Sequence, residues 1–215
     1  MNQSTKPSRS IVLHGFALSG HSHRVELFLS LLGLPYQAIE IDLRSGAHKS
    51  AEFLKMNAFG QVPVIDDDGL ILADSNAILV YLAARYGASS WYPQEPVQLA
   101  RIQRWLSVAA GPIAFGPALA RRIALFTPSV DAQDAIQRAN ALFALMDQEL
   151  ARQDYLAGDA PTIADIANYS YVASAPDGHV SLESFAHLRA WLARIEALPG
   201  FVPMPSRSRQ QEKTS

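Results

Sequence analysis

The chain contains no cysteine. That excludes a disulfide framework, a thiolate metal site and a protein-borne thiol nucleophile, so any thiol chemistry must come from a bound small molecule. Nor is there an unbroken apolar run of about 18 residues, the length a membrane-spanning helix needs. Neither sign of charge dominates: Lys and Arg number 18, Asp and Glu 20, for a net charge of −2. Nothing global therefore points to nucleic acid or to an acidic membrane surface. Residues Met1 to Arg9 are polar, with Pro7, Lys6 and Arg9 and no apolar stretch. A frayed tail rather than a secretory leader is expected there, and with it a cytoplasmic location. What is present is ordinary globular material: 215 residues, 49% hydrophobic and 18% charged, enough for one large domain or two small ones.

Two halves read differently. Ile11-Val12-Leu13 is strand-like and bounded by Gly15 and Gly20. Val25, Phe28, Leu29 and Leu32 then recur at helical spacing, and Gly33 stops that helix before Pro35. Ala38 to Ile41 reads as a second strand, so the unit is strand–helix–strand with a right-handed crossover. Val62–Ile65 and Leu70–Leu72 flank Asp66-Asp67-Asp68-Gly69, a turn cluster that predicts an antiparallel hairpin. A helix from about Asp74 to Arg85 follows. The order βαβ then ββα is that of a thioredoxin-like domain.

Breakers from Tyr86 to Pro96 mark a linker, and beyond it the pattern is helical only. Leu99, Ile102 and Leu106 form one stripe; Ile136, Ala139, Phe143, Met146 and Leu150 form another. Gly111-Pro112 and Gly116-Pro117 are expected to kink or break the first of these helices. Thr162 and Asp165 make a helix-start capping pair, and Leu188, Leu192 and Ile195 line a last helix that ends at Pro199-Gly200. The expected organisation is α/β followed by all-α: a thioredoxin-like domain over 10–87, an all-helical domain over 96–203, and disordered tails at 1–9 and 206–215.

The stretch Leu18-Ser19-Gly20-His21-Ser22-His23-Arg24-Val25, with Leu31 to Tyr36, resembles the opening of the cytosolic glutathione S-transferases. So do Glu52 to Asn57 leading into Gly60-Gln61-Val62-Pro63-Val64, and Asp74-Ser75-Asn76-Ala77-Ile78 with Tyr81-Leu82-Ala83. Thr162 to Ala167 is similar to the family's capping-box helix, and Leu198 to Phe201 to its last helix end. The resemblance spans roughly residues 10 to 203, in the family's order, and it is to the bacterial-type members with a serine-type active site.

It implies a role for each matching residue. Ser19, after the first strand, resembles the catalytic serine that ionises the glutathione thiol; the alternative on the residues alone is that it shapes the turn beside Gly20 or caps the helix. The proline of Val62-Pro63 is cis in the family, which presents the Val62 backbone to the cysteinyl unit of glutathione like an added strand. Asp74 and Ser75 open a helix whose free N–H groups suit the γ-glutamyl carboxylate, with Asp74 facing the ammonium, though capping alone would explain either residue. His48 and Gln61 stand where the family holds the glycine carboxylate, yet a solvated histidine is unremarkable in that polar loop. The electrophile site is expected around Phe16, Leu18, Trp105, Phe115 and Leu119.

Other residues are expected to be bland. His14, His21 and His23 read as surface or strand-end histidines and not as metal ligands. Asp66, Asp67 and Asp68 read as a turn, and Arg121-Arg122 as a solvated helix face. The implied activity is transfer of glutathione, a co-substrate, to a small hydrophobic electrophile by a homodimer with no metal. The alternatives are a glutathione-dependent isomerase or peroxidase, or a non-catalytic binding or scaffold protein. Ser19 has the placement of the zeta class, although Gly20 and His21 stand where that class favours serine and cysteine.

Overall fold

Strand β1 (Ile11–Gly15) lies inside the sheet, with a partner on each side. A computed structural model describes residues 7–205, and among them the sheet has four strands in the order β2-β1-β3-β4. β2 (Tyr36–Glu40) runs parallel to β1, with Ile11 opposite Tyr36. β3 (Val64–Asp67) is antiparallel to β1, and β4 (Leu70–Ala73) antiparallel to β3. Both N-terminal strands differ in extent from the local reading, because pairing sets their ends. The Ile11 N–H donates to the Pro35 carbonyl at 2.9 Å, so β2 begins before the apolar run does. The β3–β4 turn is Asp68-Gly69, with φ of +53° and +92°. Those left-handed angles match the twist of the flanking strands.

Helix α1 (Gly20–Leu31) starts at its cap, Ser19, and ends against Gly33, whose φ of +62° suits glycine. A 3-10 turn (Ala47–Lys49) and a short helix α2 (Ala51–Met56), capped by Ser50, fill the connection from β2 to β3. The strand alternation gave no sign of them. α3 (Ser75–Tyr86) closes the thioredoxin-like domain.

The second domain is helical. α4 (Pro96–Ala110), α5 (Pro112–Phe115) and α6 (Pro117–Phe126) are interrupted at Gly111 and Gly116, as the paired glycines and prolines predict. α7 (Gln133–Leu150), α8 (Ile163–Ala173) and α9 (Ala186–Glu196) follow. α8 is the centre of the molecule: every residue from Ile163 to Val172 is buried, between α1 on one side and α4 on the other. The apolar core is continuous across both domains, from Ile11 and Leu13 in the sheet to Ile166 and Trp191. Among the described residues no helix is long and apolar enough to cross a membrane. Of the expected tails, residues 1–6 and 206–215 lie outside the described residues; within 7–9, the Ser8 hydroxyl donates to Asp68 at 3.0 Å.

The Thr162–Asp165 pair forms the capping box expected of it and extends further. The fully buried Asp165 carboxylate accepts from Leu156 N–H at 2.8 Å, Thr162 N–H at 2.9 Å, Thr162 Oγ1 at 3.2 Å and Trp191 Nε1 at 2.9 Å. It thus ties α8 to α9 and to the loop before it. Replacing it leaves several buried donors unsatisfied. Asp165→Ala is expected to cost roughly 3 kcal/mol and to lower the melting midpoint by roughly 6–12 °C, with Asp165→Asn losing less; thermal unfolding followed by circular dichroism checks this.

Candidate functional site

The loop from Phe16 to Ser19 joins the end of β1 to the start of α1 and is shaped by bonds along the loop and by one from β2. The Ser19 N–H donates to the Phe16 carbonyl at 2.8 Å, and the Phe16 N–H to Ser22 Oγ at 3.1 Å. The Ala17 N–H reaches both carboxylate oxygens of Glu40, at 3.1 and 3.2 Å. Ser19 Oγ accepts from the Ser22 N–H at 3.3 Å, which is the capping bond. Accepting that bond uses a lone pair only. The hydroxyl proton has no acceptor among the described residues and can still be donated to a ligand. Capping and ligand contact are therefore compatible at Ser19.

The second wall is the start of α3. Asp74 caps it with φ +72°, ψ 120°, and its Oδ1 accepts from Asn76 N–H and Ala77 N–H, both at 2.9 Å. The capping alternative for Asp74 is thus realised. Those two donors are taken, which leaves the Ser75 N–H and hydroxyl as the groups a bound carboxylate could use. Ser75 is buried and held from below. Its Oγ lies 3.3 Å from His21 Nδ1 and 3.4 Å from Arg24 Nη1.

Arg24 is fully buried. Nη1 donates to Asn76 Oδ1 at 2.9 Å, the guanidinium stands 6.0 Å from the Tyr171 ring, and Nε and Nη2 have no hydrogen-bond partner. Burial pulls its pKa down to about 10, so it stays charged at neutral pH. A positive charge therefore sits beneath the helix start where an anion would bind.

The third wall is Gln61-Val62-Pro63, where the Val62–Pro63 peptide is cis. The Val62 N–H and C=O make no hydrogen bond among the described residues. Asn57 Nδ2 donates to the Gln61 carbonyl at 2.8 Å, while the Gln61 side chain is exposed. His48 is on the 3-10 turn packed against Gly60, where a Cβ would come within 2.8 Å of the His48 carbonyl. Its Nδ1 is buried and unpartnered, unlike the solvated ring its polar loop suggested.

Several expectations are corrected here. His21 and His23 are not surface histidines: both lie on α1 between the two domains. His21 packs edge-on against Tyr171, with ring centroids 5.1 Å apart. His23 Nε2 donates to the Val202 carbonyl at 3.0 Å and Nδ1 accepts from the Ser170 hydroxyl at 2.9 Å. Only His14, half-buried on β1, fits the strand-end reading. Among the described residues no group of three His, Cys, Asp or Glu could hold a metal ion.

Asp67 is more than a turn residue: it is buried and accepts from the Tyr81 and Tyr86 hydroxyls, both at 2.6 Å. Arg121 is buried and paired with Asp177, although its neighbour Arg122 is exposed. Trp105 is a core residue, 3% exposed, whose carbonyl accepts from Asn168; Phe115, by contrast, is 61% exposed on α5. The structure instead brings Phe126, the last residue of α6, to within 6.4 Å of Phe16, centroid to centroid. Leu119 and Phe126 are seven apart on one helix face, a signal the spacing did contain. Phe16, Leu18, Leu119 and Phe126 remain as apolar candidates.

Residues 18–85 match the model of the glutathione S-transferase N-terminal domain, and residues 109–199 that of the C-terminal domain. The chain is 33% identical to glutathione S-transferase 3 of Zea mays, covering 90% of this chain and 95% of that one. It is similar to the crystal structure of a glutathione S-transferase from Pseudomonas fluorescens, with TM-score 0.85 and 31% identity over 92% of this chain and all of that one. A glutathione transferase homologue from Drosophila mojavensis, solved with bound glutathione, matches with TM-score 0.81 and 30% identity over 88% and 89% of the two chains.

The buried histidines give the fold a pH limit. Burial, then the Arg24 charge, lowers His21 from 6.5 to about 3; burial lowers His23 to about 4. Above pH 6.5 both rings are neutral in folded and unfolded chains and contribute nothing. Below it the unfolded chain takes up protons that the folded one refuses, so stability falls by at most about 1.4 kcal/mol per pH unit for each ring. Melting midpoints at pH 7, 6 and 5 are expected to decline, and less steeply in His21→Gln or His23→Asn than in the unaltered protein.

Proposed function

The chain belongs to the glutathione S-transferase family and is a glutathione transferase; from that premise we propose that Ser19 ionises the glutathione thiol for attack on a small hydrophobic electrophile. The observation that carries this is the Ser19 hydroxyl, which accepts the Ser22 N–H and keeps its own proton to donate. A free thiol has a pKa of about 8.5 and is mostly protonated at pH 7. A hydroxyl hydrogen bond to the thiolate is worth about 1.5–3 kcal/mol, which lowers the pKa by roughly one to two units. The N-terminus of α1 acts in the same direction.

In this reading the Val62 N–H and C=O pair with the cysteinyl backbone. The γ-glutamyl carboxylate meets the Ser75 N–H and hydroxyl above the Arg24 charge, and the outer oxygen of Asp74 faces the ammonium. His48 and the Gln61 amide serve the glycine carboxylate. The thiol proton leaves to solvent, and the thiolate then bonds to the electrophilic carbon; that carbon sheds its leaving group with the bonding pair or, in an addition, gives up the pair of one bond to its neighbouring atom, which takes a proton from solvent. Phe16, Leu18, Leu119 and Phe126 line the electrophile's side. A homodimeric, cytoplasmic enzyme without a metal is part of the same proposal.

The ultraviolet absorbance of bound glutathione, titrated against pH, tests it. A thiol ionising about one to two units below its free value, with Ser19→Ala restoring that value and losing turnover while still binding glutathione, is the expected result. Unchanged turnover in Ser19→Ala removes the serine as activator. Failure to bind glutathione would favour a ligand carrier or scaffold.

A further inference from the structure

The loop that ends in Ser19 is held from the helical domain by one buried guanidinium. Arg121, on α6, is 2% exposed. Its Nη1 donates to the Leu18 carbonyl at 2.7 Å and its Nε to Asp177 Oδ2 at 3.0 Å, while Nη2 reaches the Pro205 carbonyl at 3.5 Å. Leu18 is 103 residues away in sequence, Asp177 56 and Pro205 84. The ion pair is shielded on both sides, with side-chain exposures of 3% and 12%.

The approach is built into the backbone. Asp177 belongs to the 3-10 turn Ala175–Gly178 that follows α8. At Gly178 a Cβ would fall 2.5 Å from the Arg121 nitrogen and 2.8 Å from its Cα, so only glycine lets the turn lie directly on α6. A buried ion pair is weak evidence for stability, since desolvating the charges offsets much of their attraction. Its value lies in fixing direction.

The direction fixed is that of the Leu18–Ser19 peptide. Peptide units are planar, so binding both edges of one fixes its tilt. Here the carbonyl edge accepts from Arg121 and the N–H edge donates to Phe16. Ser19 Oγ, in turn, is set by the Ser22 N–H. We infer that Arg121 and Asp177 are a positioning pair for the transferase reaction, through which the helical domain sets the aim of the Ser19 hydroxyl and hence the acidity of the bound thiol. The inference rests on the Ser19 reading above. A lysine in place of Arg121 keeps the charge and loses the planar fork that serves Leu18 and Asp177 together.

The test compares the unaltered enzyme with Arg121→Lys, Asp177→Asn, Ser19→Ala and the double variant Ser19→Ala/Arg121→Lys. For each, the pKa of the bound thiol, the glutathione Kd and the melting midpoint are measured. Arg121→Lys and Asp177→Asn are expected to raise the thiol pKa by about half a unit to one unit, a roughly three- to tenfold loss of acidity, with Kd within about twofold of the original. In the Ser19→Ala background Arg121→Lys should have no further effect on the thiol. An unchanged thiol pKa with a lowered melting midpoint makes the pair a mere brace and overturns the inference. So does an equal shift with and without Ser19. If Ser19→Ala leaves the thiol as it was while Arg121→Lys moves it, the serine reading has failed and the pair acts by another route, which is a distinct result. Should Arg121→Lys not fold, Asp177→Asn, which retains the guanidinium, makes the same comparison.

Discussion

Helix α1 has almost no face to give to solvent, and the arrangement of the site follows from that. Gly20, Ser22, His23, Arg24, Val25, Leu27, Phe28 and Leu29 are all buried. The sheet and α3 cover one side and α8 the other. A helix so enclosed must satisfy its polar side chains inside the protein or lose their hydration without return. The buried ones reach different elements: Ser22 the Phe16 amide, His23 Ser170 and Val202, and Arg24 Asn76 and Ser75 through Nη1, while its Nε and Nη2 stay without a partner. The start of α1 is placed by all of them at once. At Gly20 the Tyr171 ring lies so close that a Cβ would sit 2.7 to 2.9 Å from it, so the helix start rests on α8 with no room for a side chain between.

The same enclosure sets the sign of the field around the site. Buried imidazoles stay neutral, because burial and the nearby Arg24 both oppose their protonation. Arg24 keeps its charge at neutral pH despite burial. Two helix starts, those of α1 and α3, contribute partial positive charge beside it. Neutral rings with a fixed cation and two helix N-termini form a cradle suited to anions, which matches a ligand bearing carboxylates and an incipient thiolate.

Much of this was legible in the chain, and the residues that were not share one cause. Local chemistry announced the hairpin turn, expected over Asp66–Gly69 and found shorter at Asp68-Gly69 because Asp66 and Asp67 pair in β3, together with the Gly-Pro breaks at 111 and 116 and the Thr162–Asp165 box, since each depends on residues within a few positions. Likeness to a family drew attention to Ser19, Val62, Pro63, Asp74 and Ser75, and the structure has Ser19 and Asp74 at helix caps, Ser75 at the start of α3 and the Val62–Pro63 peptide in cis. His21, His23, Arg24 and Arg121 were not legible, because polarity suggests exposure and their partners lie far along the chain. A signal did exist. Arg24 is four residues before Phe28 on the apolar stripe of α1, and Arg121 follows the buried Pro117 and Ala118 by one turn of α6. A charge on an otherwise apolar stripe marks a buried partner as readily as a solvated face. Trp105 misled in the other direction: an aromatic near the expected site belonged to the core.

The linker between the domains is docked as well, with the Trp91 ring edge-on to Phe28 at 5.2 Å and its carbonyl accepting from the Ile163 N–H at the head of α8. That affects how chains of this kind can exchange parts. A crossover between two related genes within the linker would join an α1 from one lineage to an α8 from another. The glycine at 20 and the tyrosine at 171, or the histidine at 23 and the serine at 170, would then be drawn from different histories. A graft made there keeps α1 seated on α8 only if both members of each pair are carried over, so the unit of exchange is the α1–α8 couple rather than either domain.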